Sequence, residues 1–187
     1  MMAAVPRQVL LFSGHLVDAP GRVPERFPRR RVPAAAAAIE QVLDELQAGP
    51  QDLALTQGAA GGDLLFADAC RRRGVPLSLL LPQHEAAFVE TSVLSSDDAP
   101  AWLARWQALR ASLPEAPQVL APGPGDIYTR CNRWLLDTAL AHGRERLRFI
   151  CLWDGEDGGA GGTGDMVAGV RQQGGQVHWI DVRQLHP

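Results

Sequence analysis

The first cluster of apolar positions is Val9-Leu10-Leu11-Phe12, a continuous run that ends in Ser13-Gly14. A run this short, apolar at every position, is the pattern of a buried strand entering a tight turn. Periodicity then disappears from Asp18 to Pro33, a segment rich in Pro and Arg that reads as a loop. From Ala34 to Leu46 the period changes. Ile39, Val42, Leu43 and Leu46 fall at i, i+3, i+4 and i+7, one buried helix face, and Gly49-Pro50 stops it. Leu53 to Thr56 is a second strand, running directly into Gln57-Gly58-Ala59-Ala60-Gly61-Gly62-Asp63. Leu64 to Arg73 follows as a helix closed by Gly74, and Val75 to Pro82 is a third strand.

The second half repeats this alternation less regularly. His84 to Thr91 and Ala99 to Ser112 are helical and separated by the polar Ser95-Ser96-Asp97-Asp98. Val119-Leu120 is a short strand, and Pro122-Gly123-Pro124-Gly125 turns the chain into a helix from Asp126 to His142, with Asp126 placed as its N-cap. Leu147 to Trp153 is a strong strand, followed by a glycine-dense loop from Gly155 to Gly164. Asp165 to Gln173 is helical and Val177 to Val182 is a last strand. Strands alternating with helices build a parallel sheet through right-handed crossovers. The expected fold is α/β: a Rossmann-like open, mainly parallel sheet with helices on both faces, in a single domain over residues 1–187.

Composition narrows the chemistry. The net charge of −3 gives no electrostatic reason to expect nucleic acid or an anionic membrane as partner. All 18 basic residues are Arg, which excludes a lysine-dependent mechanism such as a Walker-type phosphate loop or a Schiff base, and with the Ala and Gly content suggests a GC-rich bacterial genome. Cys70, Cys131 and Cys151 are odd in number and widely spaced, the pattern of buried free thiols. Without a CxxC or HxxxH pair, no metal site is expected, and no cofactor. Met1 to Gln8 lacks the apolar stretch of a signal peptide, and no run approaches the ~20 apolar residues of a membrane helix. The expected location is the cytoplasm.

Three features share one structural place, the turn after the carboxyl end of a strand, where open parallel sheets bind ligands. They are Ser13-Gly14-His15, Gly58 to Asp63 (with Ala59, Gly61 and Gly62), and Gly158 to Asp165 (with Gly161, Gly162 and Thr163). A single glycine turn is most often plain connection geometry. Three on one edge point to a shared anion or nucleotide pocket, because glycine permits close backbone approach and a following helix presents free N–H groups. Asp63 and Asp165 each begin a helix, as caps or as ligand contacts. Thr163 is placed either to donate to a phosphate or to cap. Arg130 and Arg133 lie three apart on one helix with Asn132 between them, so one guanidinium is a candidate for phosphate. Arg29-Arg30-Arg31 reads as a solvated loop, with a lid over the ligand as the alternative. Trp102, Trp106 and Trp134 lie in helices as core residues.

Thr56 to Asp63, the strand Leu147 to Trp153, and Gly161-Gly162-Thr163-Gly164-Asp165-Met166-Val167 resemble the SLOG superfamily. That Rossmann-like group includes the Lonely Guy phosphoribohydrolases, often labelled lysine decarboxylases, and the DNA-processing protein A domain. Phe12-Ser13-Gly14-His15 with Asp18 to Pro28 is similar to an uncharacterised bacterial branch whose domains occur beside signalling modules. The resemblance implies a nucleotide or nucleotide-derived ligand held by Gly58, Gly61, Gly62, Asp63, Arg130, Asn132, Gly161, Gly162, Thr163 and Asp165. It also implies, with the helices around Trp102 and Trp134, a homodimer or a signalling-protein partner. The phosphoribohydrolase pattern GGxGTxxE departs here: with Gly162-Thr163 on its Gly-Thr, Met166 stands where the glutamate belongs and Asp165 is one position early. The expected function is a ligand-sensing module. The alternative is a nucleotide N-glycosidic hydrolase with Asp165 or Asp63 at the ribose.

Overall fold

The computed structural model describes residues 5–186, so Met1 to Ala4 of the N-terminal stretch lie outside the described residues. Six strands form one sheet: β1 (Val9–Gly14), β2 (Leu53–Thr56), β3 (Leu77–Leu81), β4 (Gln118–Val119), β5 (Leu147–Trp153) and β6 (Gln176–Asp181). Their order is β4-β3-β2-β1-β5-β6 and every neighbouring pair is parallel. The helices are α1 (Val32–Glu45), α2 (Gly62–Arg72), α3 (Glu85–Ser92), α4 (Ala99–Ser112), α5 (Ile127–Leu140) and α6 (Thr163–Gln172).

The central strand shows why the sheet is covered twice. Leu10 and Phe12 face a core completed by α1 to α4, while Val9 and Leu11 face one completed by α5 and α6. Successive side chains of a strand point to opposite faces, so an all-apolar strand needs a helical layer on each. Phe12 stacks on Phe66 of α2 with ring centroids 4.8 Å apart, and Phe88 packs on Trp106 at 5.4 Å. Trp102 and Trp106 are buried in the first core, whereas Trp134 is only partly buried against the second. All three cysteines are buried free thiols, and burial pushes each above the ordinary thiol range. No helix among the described residues is long and apolar enough to cross a membrane.

The chain winds outward from β1 through β2 and β3 to β4, then returns across α5 to place β5 on the other side of β1. Element boundaries differ from the periodic pattern mainly at helix starts. α1 begins at Val32, taking Pro33 into its first turn, where the missing N–H needs no partner. α2 and α6 begin at Gly62 and Thr163, each two residues before the start expected from the sequence pattern. β4 is only two residues long, hemmed by Pro117 and the turn from Pro122 to Gly125.

Candidate functional site

Because β1 leads to α1 on one face and β5 leads to α6 on the other, the connections diverge between these two strands and a crevice opens beyond their carboxyl ends. A cleft of about 140 Å³ lies there. β1 contributes Ser13, Gly14 and His15; the β2 turn contributes Gln57, Ala59 and Asp63; α5 contributes Tyr128 and Asn132. The β5–α6 connection supplies Trp153, Gly158 and Gly161 to Gly164, and Arg26 enters from the long β1–α1 loop.

The α6 end is the most open part of the wall. Gly162 is the N-cap, with no side chain to cap the helix. The N–H groups of Thr163, Gly164 and Asp165 have no hydrogen-bond partner among the described residues. Gly161 holds this turn against α5 at φ +79°; a Cβ there would lie 2.6 Å from Tyr128 Cβ. Asn132, almost fully buried, fastens the same turn by donating to Gly162 O at 3.2 Å while accepting from Gln57 at 3.4 Å. The hydroxyls of Ser13 and Thr163 meet across the cleft at 3.4 Å. Trp153 packs on the first turn of α6, its indole 3.2 Å from the Cβ position of Gly164, and Trp179 leans on it with centroids 5.6 Å apart.

Two buried titratable groups face each other in protonation behaviour. Asp63 Oδ2 accepts the Gly58 and Ala59 N–H groups, both at 3.2 Å. Burial nevertheless lifts the carboxyl to about 7, with those N–H groups opposing. Burial and then the charge of Arg26 lower His15 to about 4, against the pull of Asp154. His15 Nε2 accepts the Asp154 N–H at 3.1 Å. That contact occupies the Nε2 lone pair, so the ring is neutral and Asp154 Oδ1, also 3.1 Å away, receives no proton from it. Against its own burial, the Glu156 N–H holds the Asp154 carboxyl below the usual range, with the Arg26 charge adding to it.

Of the expected ligand residues, Ser13, Gly14, His15, Ala59, Asp63, Asn132, Gly161, Gly162 and Thr163 line the cleft. Gly58, Gly61, Gly62, Arg130 and Asp165 do not. Gly61 adopts φ +115° because a Cβ would sit 2.7 Å from both His15 O and Val17 N, where the β1 and β2 loops cross. The Cβ positions of Gly58 and Gly62 meet Trp106 at 2.9 Å and Phe12 at 3.0 Å. The Arg130 guanidinium donates to Ala121 O at 2.6 Å and Gly123 O at 3.2 Å, closing the turn before α5. Asp165 faces solvent and accepts the Gly161 N–H at 3.3 Å, a first-turn contact directed away from the cleft. Met166 is core. Arg29 pairs with Asp98 at 2.9 Å and Arg30 pairs with Glu25, so neither lies over the cleft.

Arg26, Ser92, Tyr128 and Trp153 line the cleft without having been singled out. Only Trp153 carried a sequence signal, as the last residue of a strand ending at the ligand edge. Among the described residues no group of three His, Cys, Asp or Glu side chains converges as a metal ion would need. No family model and no curated protein sequence matches this chain.

Proposed function

We propose that this chain binds a nucleotide or nucleotide-derived small molecule in the β1/β5 crevice, as a ligand-sensing module of SLOG type. The observation that carries the reading is the first turn of α6: three successive unpartnered N–H groups at a helix N-terminus, two of them on residues that line a switch-point cleft. Such an end attracts phosphate or carboxylate through its N–H donors and its positive dipole end. Ser13 and Thr163 add hydroxyl donors beside it. At about 140 Å³ the cleft takes a phosphoryl group and adjoining sugar, leaving the rest of the ligand at the mouth beside Trp153.

Asp63 favours a second reading, N-glycosidic hydrolysis. It is the one of the two candidate carboxylates that reaches the cleft, and a carboxyl titrating near neutrality suits acid–base work. A thermal-shift screen against mono-, di- and cyclic nucleotides, ADP-ribose and NAD, with base release assayed on each hit, separates the two. At a hundred times Kd a ligand adds about 2.7 kcal/mol of stability, and Thr163→Val should reduce that response without lowering the unliganded midpoint. Release that disappears in Asp63→Asn while the shift persists identifies a hydrolase. Absence of a shift with every compound overturns the proposal.

A further inference from the structure

Between β1 and α1 the chain makes a long excursion that is tightly closed at its base. Asp18 N–H donates to Phe27 O at 2.9 Å, and Asp18 O accepts the Asp97 N–H at 2.9 Å. The Asp18 carboxylate is itself buried, and its Oδ2 accepts the N–H groups of Arg26 at 2.9 Å and Phe27 at 3.0 Å. Phe27 is fully buried in the first core. One buried carboxylate and one buried aromatic ring therefore fix the backbone at Arg26 from both sides.

The side chain that this clasp presents is a cation with no ion pair within 4 Å, although the Asp154 and Asp18 carboxylates lie near enough to act on its charge. Arg26 is half-buried, lines the cleft, and makes no ion pair among the described residues. Its Nε is buried with no hydrogen-bond partner at all. Of the other arginines in the same loop, Arg22 lies 3.4 Å from Asp18 Oδ1, Arg29 meets Asp98 and Arg30 meets Glu25, while Arg31 does not line the cleft. Burial and the neighbouring Arg22 charge make the Arg26 cation less favourable than a free one. A guanidinium taken out of water needs planar acceptors for its donors, and an anion in the cleft is placed to supply them.

We propose that Arg26 is the cation that takes the ligand's anionic oxygens in this cleft, and that Asp18 is the positioning residue that holds it there. The inference rests on the reading of the cleft as an anion site. It places the charge recognition in the β1–α1 loop, across the crevice from the α6 N–H groups, so that the anion is gripped from two sides. Asp18 holds the loop through the backbone N–H groups of Arg26 and Phe27, and Asn at that position retains one acceptor for them.

The experiment titrates the full chain with AMP and with inorganic phosphate by calorimetry, alongside Arg26→Met, Asp18→Ala, Asp18→Asn and the double variant Arg26→Met/Asp18→Ala. Arg26→Met should weaken AMP binding about ten- to hundredfold, the range of a charged hydrogen bond. Asp18→Ala should match it, Asp18→Asn should recover part of the loss, and the double variant should bind no worse than Arg26→Met, because both act through one side chain. A second measurement stands if Asp18→Ala fails to fold: the Arg26 Nε–H resonance, assigned by its loss in Arg26→Met, should shift when AMP is added to the unaltered chain. Undiminished binding by Arg26→Met, or an unmoved resonance under saturating AMP, sinks this inference and leaves the cleft's function standing. No binding of AMP or phosphate by the unaltered chain sinks it together with the anion-site reading.

Discussion

The two glycine-rich turns, Gly58–Asp63 after β2 and Gly158–Asp165 after β5, look alike as text: glycines, then an aspartate, then a helix. Their hydrogen bonds separate them. In the β2 turn most of the donors are occupied by the chain itself. Gly58 and Ala59 N–H go to Asp63, Ala60 N–H to Ser92 O, Gly62 N–H to His15 O and Leu64 N–H to Ala59 O. Its glycines admit the β1 loop, Phe12 and Trp106 at close range. In the β5 turn the donors of Thr163, Gly164 and Asp165 have no partner among the described residues, and the first two of these residues line the cleft. The first turn is a joint of the fold, and the second is the one we propose receives an anion. A glycine motif before a helix thus announces close backbone approach, and only the fate of its N–H groups tells whether another loop or a ligand does the approaching.

The sharpest way to break this comparison is a methyl group in each turn. Gly61→Ala should cost about 3 kcal/mol or more, since the new Cβ meets two backbone atoms at 2.7 Å in a left-handed conformation. Gly158→Ala, whose Cβ meets nothing within 4 Å, should stay within about 0.5 kcal/mol. Urea midpoints of the two variants measure this directly, and equal losses would erase the distinction between joint and receptor.

A smaller effect separates the protons at the two ends of the cleft. Asp63 keeps its proton to about 7 when folded, against about 4 in an unfolded chain. The folded state therefore binds the extra proton across that window, and this contribution to stability is lost as pH rises from about 4 to about 7. His15 runs the other way: its folded value near 4 lies below the unfolded value of about 6.5, so its contribution is lost as pH falls through the same window. The two slopes oppose each other in the unaltered chain. Asp63→Asn should unmask a midpoint that rises between about pH 4.5 and 6.5, and His15→Gln one that falls. Parallel pH curves for all three proteins would show that neither group titrates apart from its unfolded value.

The smallest effect belongs to Asp165. Its carboxylate only meets the Gly161 N–H on the solvent side, so Asp165→Asn should lower stability by less than about 1 kcal/mol. It should also leave AMP affinity within about twofold. A tenfold loss of affinity would return this residue to the site.

Much of this molecule was legible in one dimension. The apolar runs at β1, β2 and β5 and the helical spacing of Ile39, Leu43 and their neighbours located the elements to within a few residues, because burial on a strand or a helix face imposes its period directly on the side chains. Alternation of the two element types then implied a parallel sheet and a ligand edge, and nine of the fourteen expected ligand positions do line the crevice. Helix first turns were read late because they carry no apolar period, as at Gly62 and Thr163.

Local sequence determined which segments are strands, which are helices and where their turns must bend, since those follow from propensity and period within a few residues. Tertiary structure alone decided that Arg26 rather than Arg130 reaches the cleft, and that Asp63 rather than Asp165 lies inside it. It decided as well that the β2 turn has most of its donors taken by the chain, while three successive donors at the start of α6 have no partner among the described residues. The reason is physical: a charge or an N–H group acquires its role from the atoms that come to lie against it. For Arg26 those atoms are brought by Asp18 and Phe27, which clasp the loop, and by His15 and Asp154 beyond the end of two strands adjacent in space but far apart along the chain.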